Sequence, residues 1–382
     1  MGRSFCSGIF SLSFIFLFLS CATAPYTGRS QLMLVSESQE TSLGEQAYRH
    51  VLRDSVVASD GEALRIVRGV GERIARVANK PDYKWDFRIV NDPEMVNAFC
   101  VPGGKVAVYT GIFPVARDEA GLAVVLGHEV AHALARHSGE RISQSQLIGA
   151  GLAIAGAAGV NAQLLQLLGL GATVGAILPF GRSQESEADH IGLVLMAKAG
   201  YDPRVALDVW ERMERQGRKA PPEFLSTHPS YETRTQNLRS WMAEALAFYQ
   251  PTERRWETLP SPQALDSPGA RAERELLKRI QELNRRAADQ RGARAVVEAI
   301  GYGLRMSPSL VYQERQQLGV GYGQYAALRA LASLGKAPLK RVFGAYESGL
   351  RWSEIAESNG ARLSELISWM GEIGRDAAQR QG

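Results

Sequence analysis

The chain has 382 residues, 45% of them hydrophobic and 22% charged, with a formal net charge of +4. This is ordinary globular composition, long enough for two folded units, and so small a charge gives no argument for a nucleic-acid partner. Three cysteines, Cys6, Cys21 and Cys100, exclude a disulfide framework.

The apolar run 9–20 behind Arg3 is short for a membrane span and suits an export signal. Ser20 before Cys21 is similar to a bacterial lipobox, although Phe18 stands where leucine is commoner. Cys21 is therefore expected to carry lipid; a plain signal peptide or an uncleaved anchor is the alternative. Ala22 rather than an aspartate then points, by analogy with lipoprotein sorting, to the bacterial periplasm and the outer membrane. Residues 1–20 are then expected to form the signal and 21–40 a tether. Cys100, left alone, reads as a buried thiol.

From 41 to 78 apolar residues recur at steps of three and four, with a break at Asp60 and Gly61, which predicts two helices. Residues 85–90 alternate as a strand does, and 105–111 do so again after the turn Pro102-Gly103-Gly104. A helix is then expected from Asp118 and Glu119, whose charges suit its N-terminus, through His137.

That helix carries "GHEVAHALARH" at 127–137. A step of four residues turns about 400°, so His128 and His132 share one face and can grip one ion. Glu129 stands about 100° aside, placed to reach a water held there; this is the H-E-x-x-H arrangement of zinc hydrolases. Such a site needs a third protein ligand. The metzincin pattern does not supply it, because Ala135 replaces its glycine and Ser138 its histidine. His137, rotated about 180° from His128 on a continuous helix, is expected at the helix end or the surface. "SQESEADHIG" at 183–192 offers Glu185, Glu187, Asp189 and His190. Glu185 and Asp189 share a face, which suggests one ligand and one carboxylate orienting a ligating histidine, while Glu187 points away.

Together with "STHPSYETR" at 226–234, these stretches resemble, in order and spacing, the family-48 metallopeptidases, a gluzincin group that includes HtpX and the CAAX prenyl endopeptidase. The look is nearest to their BepA-like and LoiP-like periplasmic lipoproteins. The resemblance covers about 21–249. It implies a zinc ion held by His128, His132 and Glu185, with Asp189 behind a ligand and Glu129 as general base. It also implies that His228 approaches the zinc as a fourth ligand or a transition-state donor, with Arg234 holding its loop.

The uncharged stretch 142–181 is expected to form two helices near the active site, with a membrane hairpin as the alternative. Prolines and polar residues mark a linker over 251–270. Beyond it Leu276, Ile280, Leu283 and Ala287 form a helical stripe, and 352–370 reads as helix, glycine turn, helix. A small helical bundle is preferred there to a DNA-reading helix-turn-helix. The expected fold is α+β and mainly helical: a zincin-type metallopeptidase domain over 41–250, with a small sheet and an active-site helix, and a separate all-α region over 271–382.

The expected activity is zinc-dependent cleavage of unfolded or misassembled envelope proteins, the substrate lying as an added strand along 105–111. The competing reading is a chaperone or assembly factor whose peptidase site His228 holds shut, with 271–382 contacting a protein partner. A non-proteolytic zinc hydrolase is a third.

Overall fold

The computed structural model describes residues 21–24, 26–58, 61–149, 181–217, 224, 228 and 233–382. The stretch 1–20, expected to be an export signal, lies outside them, as does most of the stretch 142–181. The chain divides into two compact units, one of residues 1–52 and 57–265, the other of 53–56 and 266–382.

The first unit opens with a short hairpin, β1 (Cys21–Thr23) antiparallel to β2 (Ser30–Leu32), followed by α1 (Glu37–Arg53). Next come β3 (Val57–Ala58), α2 (Glu62–Ala78), β4 (Asp86–Val90), β5 (Ala98–Val101) and β6 (Lys105–Tyr109). The break at Gly61 falls where the sequence put it, with a positive φ of 116° that only glycine adopts freely. The four-stranded sheet has the order β3-β4-β6-β5; β6 is parallel to β4 and antiparallel to β5. Strand alternation separates its faces. Phe87, Ile89, Val106 and Val108 join the main core with α2, whereas Val90, Phe99, Ala107 and Tyr109 meet Ala47, Tyr48 and Val51 of α1.

This order corrects the expected substrate pose. Both ladders of β6 are taken, by β4 and by β5, so 105–111 is no free edge. The turn at Gly103 and Gly104, with φ of 93° and 82°, folds β5 onto β6 and leaves β5 at the sheet margin.

A turn of helix, α3 (Phe113–Ala116), leads to α4 (Glu119–Leu134), whose N-terminus Asp118 caps by accepting from the Gly121 amide at 2.9 Å. Every residue of α4 is buried, so this helix forms the centre of the unit rather than its surface. It packs against α2, β5 and α6 (Arg182–Lys198). Between α4 and α6 comes α5 (His137–Gly149); after α6 come α7 (Val205–Gly217), α8 (Arg234–Phe248) and the single turn α9 (Pro262–Leu265).

Part of the stretch read as a linker is fastened to the first unit. Glu119 and Leu259 donate backbone hydrogen bonds to Glu257 and Arg117 at 3.1 and 2.8 Å, Leu259 is buried, and Trp256 lies against Tyr201. Proline content registered an extended chain, but two apolar anchors fasten it.

The second unit is helical: α10 (Pro268–Arg286), α11 (Gln290–Leu304), α12 (Pro308–Leu318), α13 (Tyr322–Leu334), α14 (Leu339–Glu347), α15 (Trp352–Ser358) and α16 (Leu363–Gln381). Ser267, Asp289 and Ser307 cap α10, α11 and α12 through their side chains. The stripe Leu276, Ile280 and Leu283 is buried in its core beside Ile300, Leu328, Trp352 and Met370. Gly360, with φ of 71°, makes the turn between α15 and α16. No described helix in either unit is long and apolar enough to cross a membrane.

Candidate metal centre

One turn of α4 separates His128 from His132, and their Nε2 atoms lie 3.1 Å apart. From α6, Glu185 brings one carboxylate oxygen to 3.4 Å from His132 Nε2 and the other to 3.5 Å from His128 Nε2. His228 Nδ1 stands 3.2 Å from His128 Nε2 and 3.0 Å from Glu185 Oε1. Among the described residues these four donors form one buried group, all within 4.8 Å of one another. Tetrahedral ligands at zinc distances of about 2.0–2.1 Å are separated by about 3.3 Å, close to the spacings observed here. Three imidazoles and a carboxylate are also the donor types such an ion takes.

The charge balance suits a cation. Burial alone would raise the Glu185 carboxyl, but His228, His128 and His132 hold it well below the usual carboxylate range. Burial pushes His132 well below its ordinary value, which leaves a neutral ring with a lone pair. Burial also disfavours the charged form of His128, yet its hydrogen bonds to Asp189 and Glu185 hold it up at about 9. A pocket that so favours a protonated ring favours positive charge at that point.

Asp189 accepts from His128 Nδ1 at 3.0 Å and from Arg234 Nη2 at 2.7 Å. Arg234, almost wholly buried, lies flat on Trp210 with its guanidinium carbon 3.3 Å from the ring centre. Glu129 is buried, and burial raises its carboxyl. Its Oε1 has no hydrogen-bond partner and lies 3.5 Å from His228 Nε2, facing the donors. The thiol of Cys100 is free and buried, and burial pushes its pKa up. His190 stays apart from the site, stacked on Trp241 and 2.7 Å from Glu244.

One expectation is corrected. His137 is fully buried, its Nδ1 2.8 Å from His132 Nδ1 and its Nε2 2.9 Å from Glu187 Oε2. Glu187, expected to point away from the face of Glu185 and Asp189, stands outside the donor group but is buried, and it also binds Arg29 Nε at 2.8 Å and the Thr27 hydroxyl. The cause of the buried His137 is that α4 ends at Leu134. Arg136 takes a left-handed φ of 56°, secured by Glu40 at 2.6 Å and the Val35 carbonyl at 3.0 Å, and α5 restarts at His137. Extrapolating one helix through 137 turned that ring the wrong way. The restart is at an arginine rather than a glycine, so no local signal marked it.

Residues 64–242 match the family model "Peptidase family M48". The mitochondrial metalloendopeptidase OMA1 of Schizosaccharomyces pombe is 37% identical over 253 residues, covering 64% of this chain and 74% of its own. That of Saccharomyces cerevisiae is 32% identical over 275 residues, covering 66% and 77%. The beta-barrel assembly-enhancing protease of Escherichia coli is 29% identical over 231 residues, covering 58% and 47%. These relatives overturn the expected location at the bacterial outer membrane, since those from yeasts, a plant and animals are mitochondrial proteins. A short apolar run behind one arginine is a generic feature and does not by itself specify a compartment. The catalytic unit, by contrast, is shared along most of its length, and its substrates are polypeptides: the chain belongs to peptidase family M48 and is a metalloendopeptidase.

Proposed function

We propose that the chain is a zinc endopeptidase of protein quality control, cutting unfolded or misassembled polypeptides. In this reading His128, His132 and Glu185 are the zinc ligands and Glu129 is the general base. The observation that carries it is the convergence of four buried donors on one point beside Glu129, whose Oε1 has no hydrogen-bond partner. The substrate class is suggested by the assembly-enhancing role that the E. coli relative's name records. Bound there, zinc supplies Lewis acidity toward the scissile carbonyl and acidifies a water.

The chain's own groups do the rest. Glu129, its proton affinity raised by burial, takes the proton of the attacking water at Oε1 and returns it to the leaving amine. Asp189 and Arg234 fix the ring of His128. A Glu129→Gln variant should keep its zinc and lose about 10²- to 10⁴-fold in kcat/KM on an unfolded protein substrate. Cleavage at the parental rate would remove Glu129 from the mechanism.

The place of His228 favours a second reading for the resting state. Its Nδ1 stands among the ligand donors, 3.0 Å from Glu185, where it would close the fourth position of the ion. An assembly factor held shut in this way should keep its cellular function in Glu129→Gln, and His228→Ala should raise its cleavage rate. A fall in rate in His228→Ala would instead make this ring a transition-state donor.

A further inference from the structure

We infer that His137 is a positioning residue of the metal centre, fixing the tautomer of His132 and tying the N-terminal hairpin to it. This rests on His132 being a ligand through Nε2. Two ring nitrogens 2.8 Å apart, as Nδ1 of His132 and Nδ1 of His137 are, hydrogen-bond only if one carries a proton and the other a lone pair. His132 Nε2 faces His128 and Glu185 and must keep its lone pair to bind a cation. The His132 proton therefore sits on Nδ1 and is donated to His137. His137 in turn carries its proton on Nε2 and donates it to Glu187 Oε2, at 2.9 Å.

The relay ends on a clamped carboxylate. Glu187 accepts from Arg29 Nε at 2.8 Å and from Thr27 Oγ1, while the two other nitrogens of Arg29 hold Glu140 at 2.9 and 2.8 Å. Gln184 donates to the same Glu140 at 2.8 Å. Thr27 and Arg29 lie in the turn between β1 and β2, and Gln31 of β2 donates to the Ala135 carbonyl at 2.6 Å, where α4 ends. The two histidines of α4 are thus backed alike. His128 is held by Asp189 directly, with Arg234 behind that carboxylate; His132 is held by Glu187, with Arg29 behind it, through one interposed imidazole. A carboxylate behind a ligating histidine orients the ring and raises its basicity, and losing one weakens metal binding about 10- to 100-fold.

The test is zinc affinity of the full-length chain by chelator competition, in the parent, His137→Leu and His137→Gln. Folding is followed by circular dichroism and by the melting of the metal-free form. His137→Leu should bind zinc about 10- to 100-fold more weakly, and His137→Gln, which restores one acceptor and one donor, should recover most of that loss. A folded His137→Leu chain that melts earlier when metal-free but binds zinc within twofold of the parent overturns the inference, because His137 would then serve only stability. Should His137→Leu fail to fold, proton–nitrogen correlation of the imidazoles in the zinc-loaded parent decides. A His137 proton on Nε2 supports the relay, and one on Nδ1 overturns it. A parent that binds no zinc fails the metal reading itself, and this inference with it.

Discussion

Glu140 shows how single residues hold the N-terminal hairpin in place. Burial would raise its carboxyl, but the hydrogen bonds from Arg29 and Gln184 hold it below the usual range. A carboxyl whose folded pKa is depressed gives stability that is complete above its unfolded value, about 4.3, and is lost as pH falls through the folded value. Glu140→Gln should therefore destabilise the metal-free chain by about 1–2 kcal/mol at neutral pH and by less at pH 3, as read by urea melts at both. Equal losses at both pH values would remove this ion pair from the acid sensitivity. At this scale legibility was divided. Helical spacing set His128 and His132 on one face, and Glu185 and Asp189 on another; that the two pairs meet, with Glu185 as ligand and Glu129 as base, was what the resemblance implied. His137 and Glu187 could not be paired, since their meeting depends on the left-handed turn at Arg136, fixed by contacts to Glu40 and Val35 some hundred residues earlier in the chain.

The metal centre depends on how closely α4 and α6 approach. A methyl group at Gly192 would lie 2.8 Å from the backbone nitrogen of His128, and one at Gly127 would lie 2.8 Å from the Gly192 carbonyl. Both obstacles are backbone and cannot turn aside, so the ligands of α4 and the carboxylates of α6 are held at a distance that only glycine allows. Gly192→Ala should destabilise the chain by about 1–3 kcal/mol and weaken zinc binding by moving Glu185 away from the histidines. Gly344→Ala in α14, where nothing lies within 4 Å, should be neutral or stabilising by up to about 1 kcal/mol. Thermal melts with and without zinc compare the two. The helices α1, α2, α4 and α10 and the strands β4 and β6 were legible through their periodicity. The position of β6 inside the sheet was not, because its partners are chosen by non-local pairing. All four residues of β5 are buried, so that strand lacks the alternation that marks a half-exposed one.

Among the described residues each unit has its own core, the first built around α4 and on both faces of the sheet, the second from α10 to α16 with Val56. Multi-domain chains depart from single two-state melting, and a ligand stabilises only the unit that binds it. Calorimetry should show two transitions, with a chelator lowering one and leaving the other in place; a single transition that moves as a whole would contradict independent cores. Composition led to the expectation of two units joined by a linker over 251–270, and Trp256 and Leu259 of that stretch pack against the first unit. The most direct test of the account is the zinc content of the purified chain beside its Glu185→Gln variant, with folding verified for both. The account predicts one zinc per parent chain and a marked loss of affinity in the variant. Zinc retained at full affinity without Glu185, or a folded parent that takes up none, would contradict it.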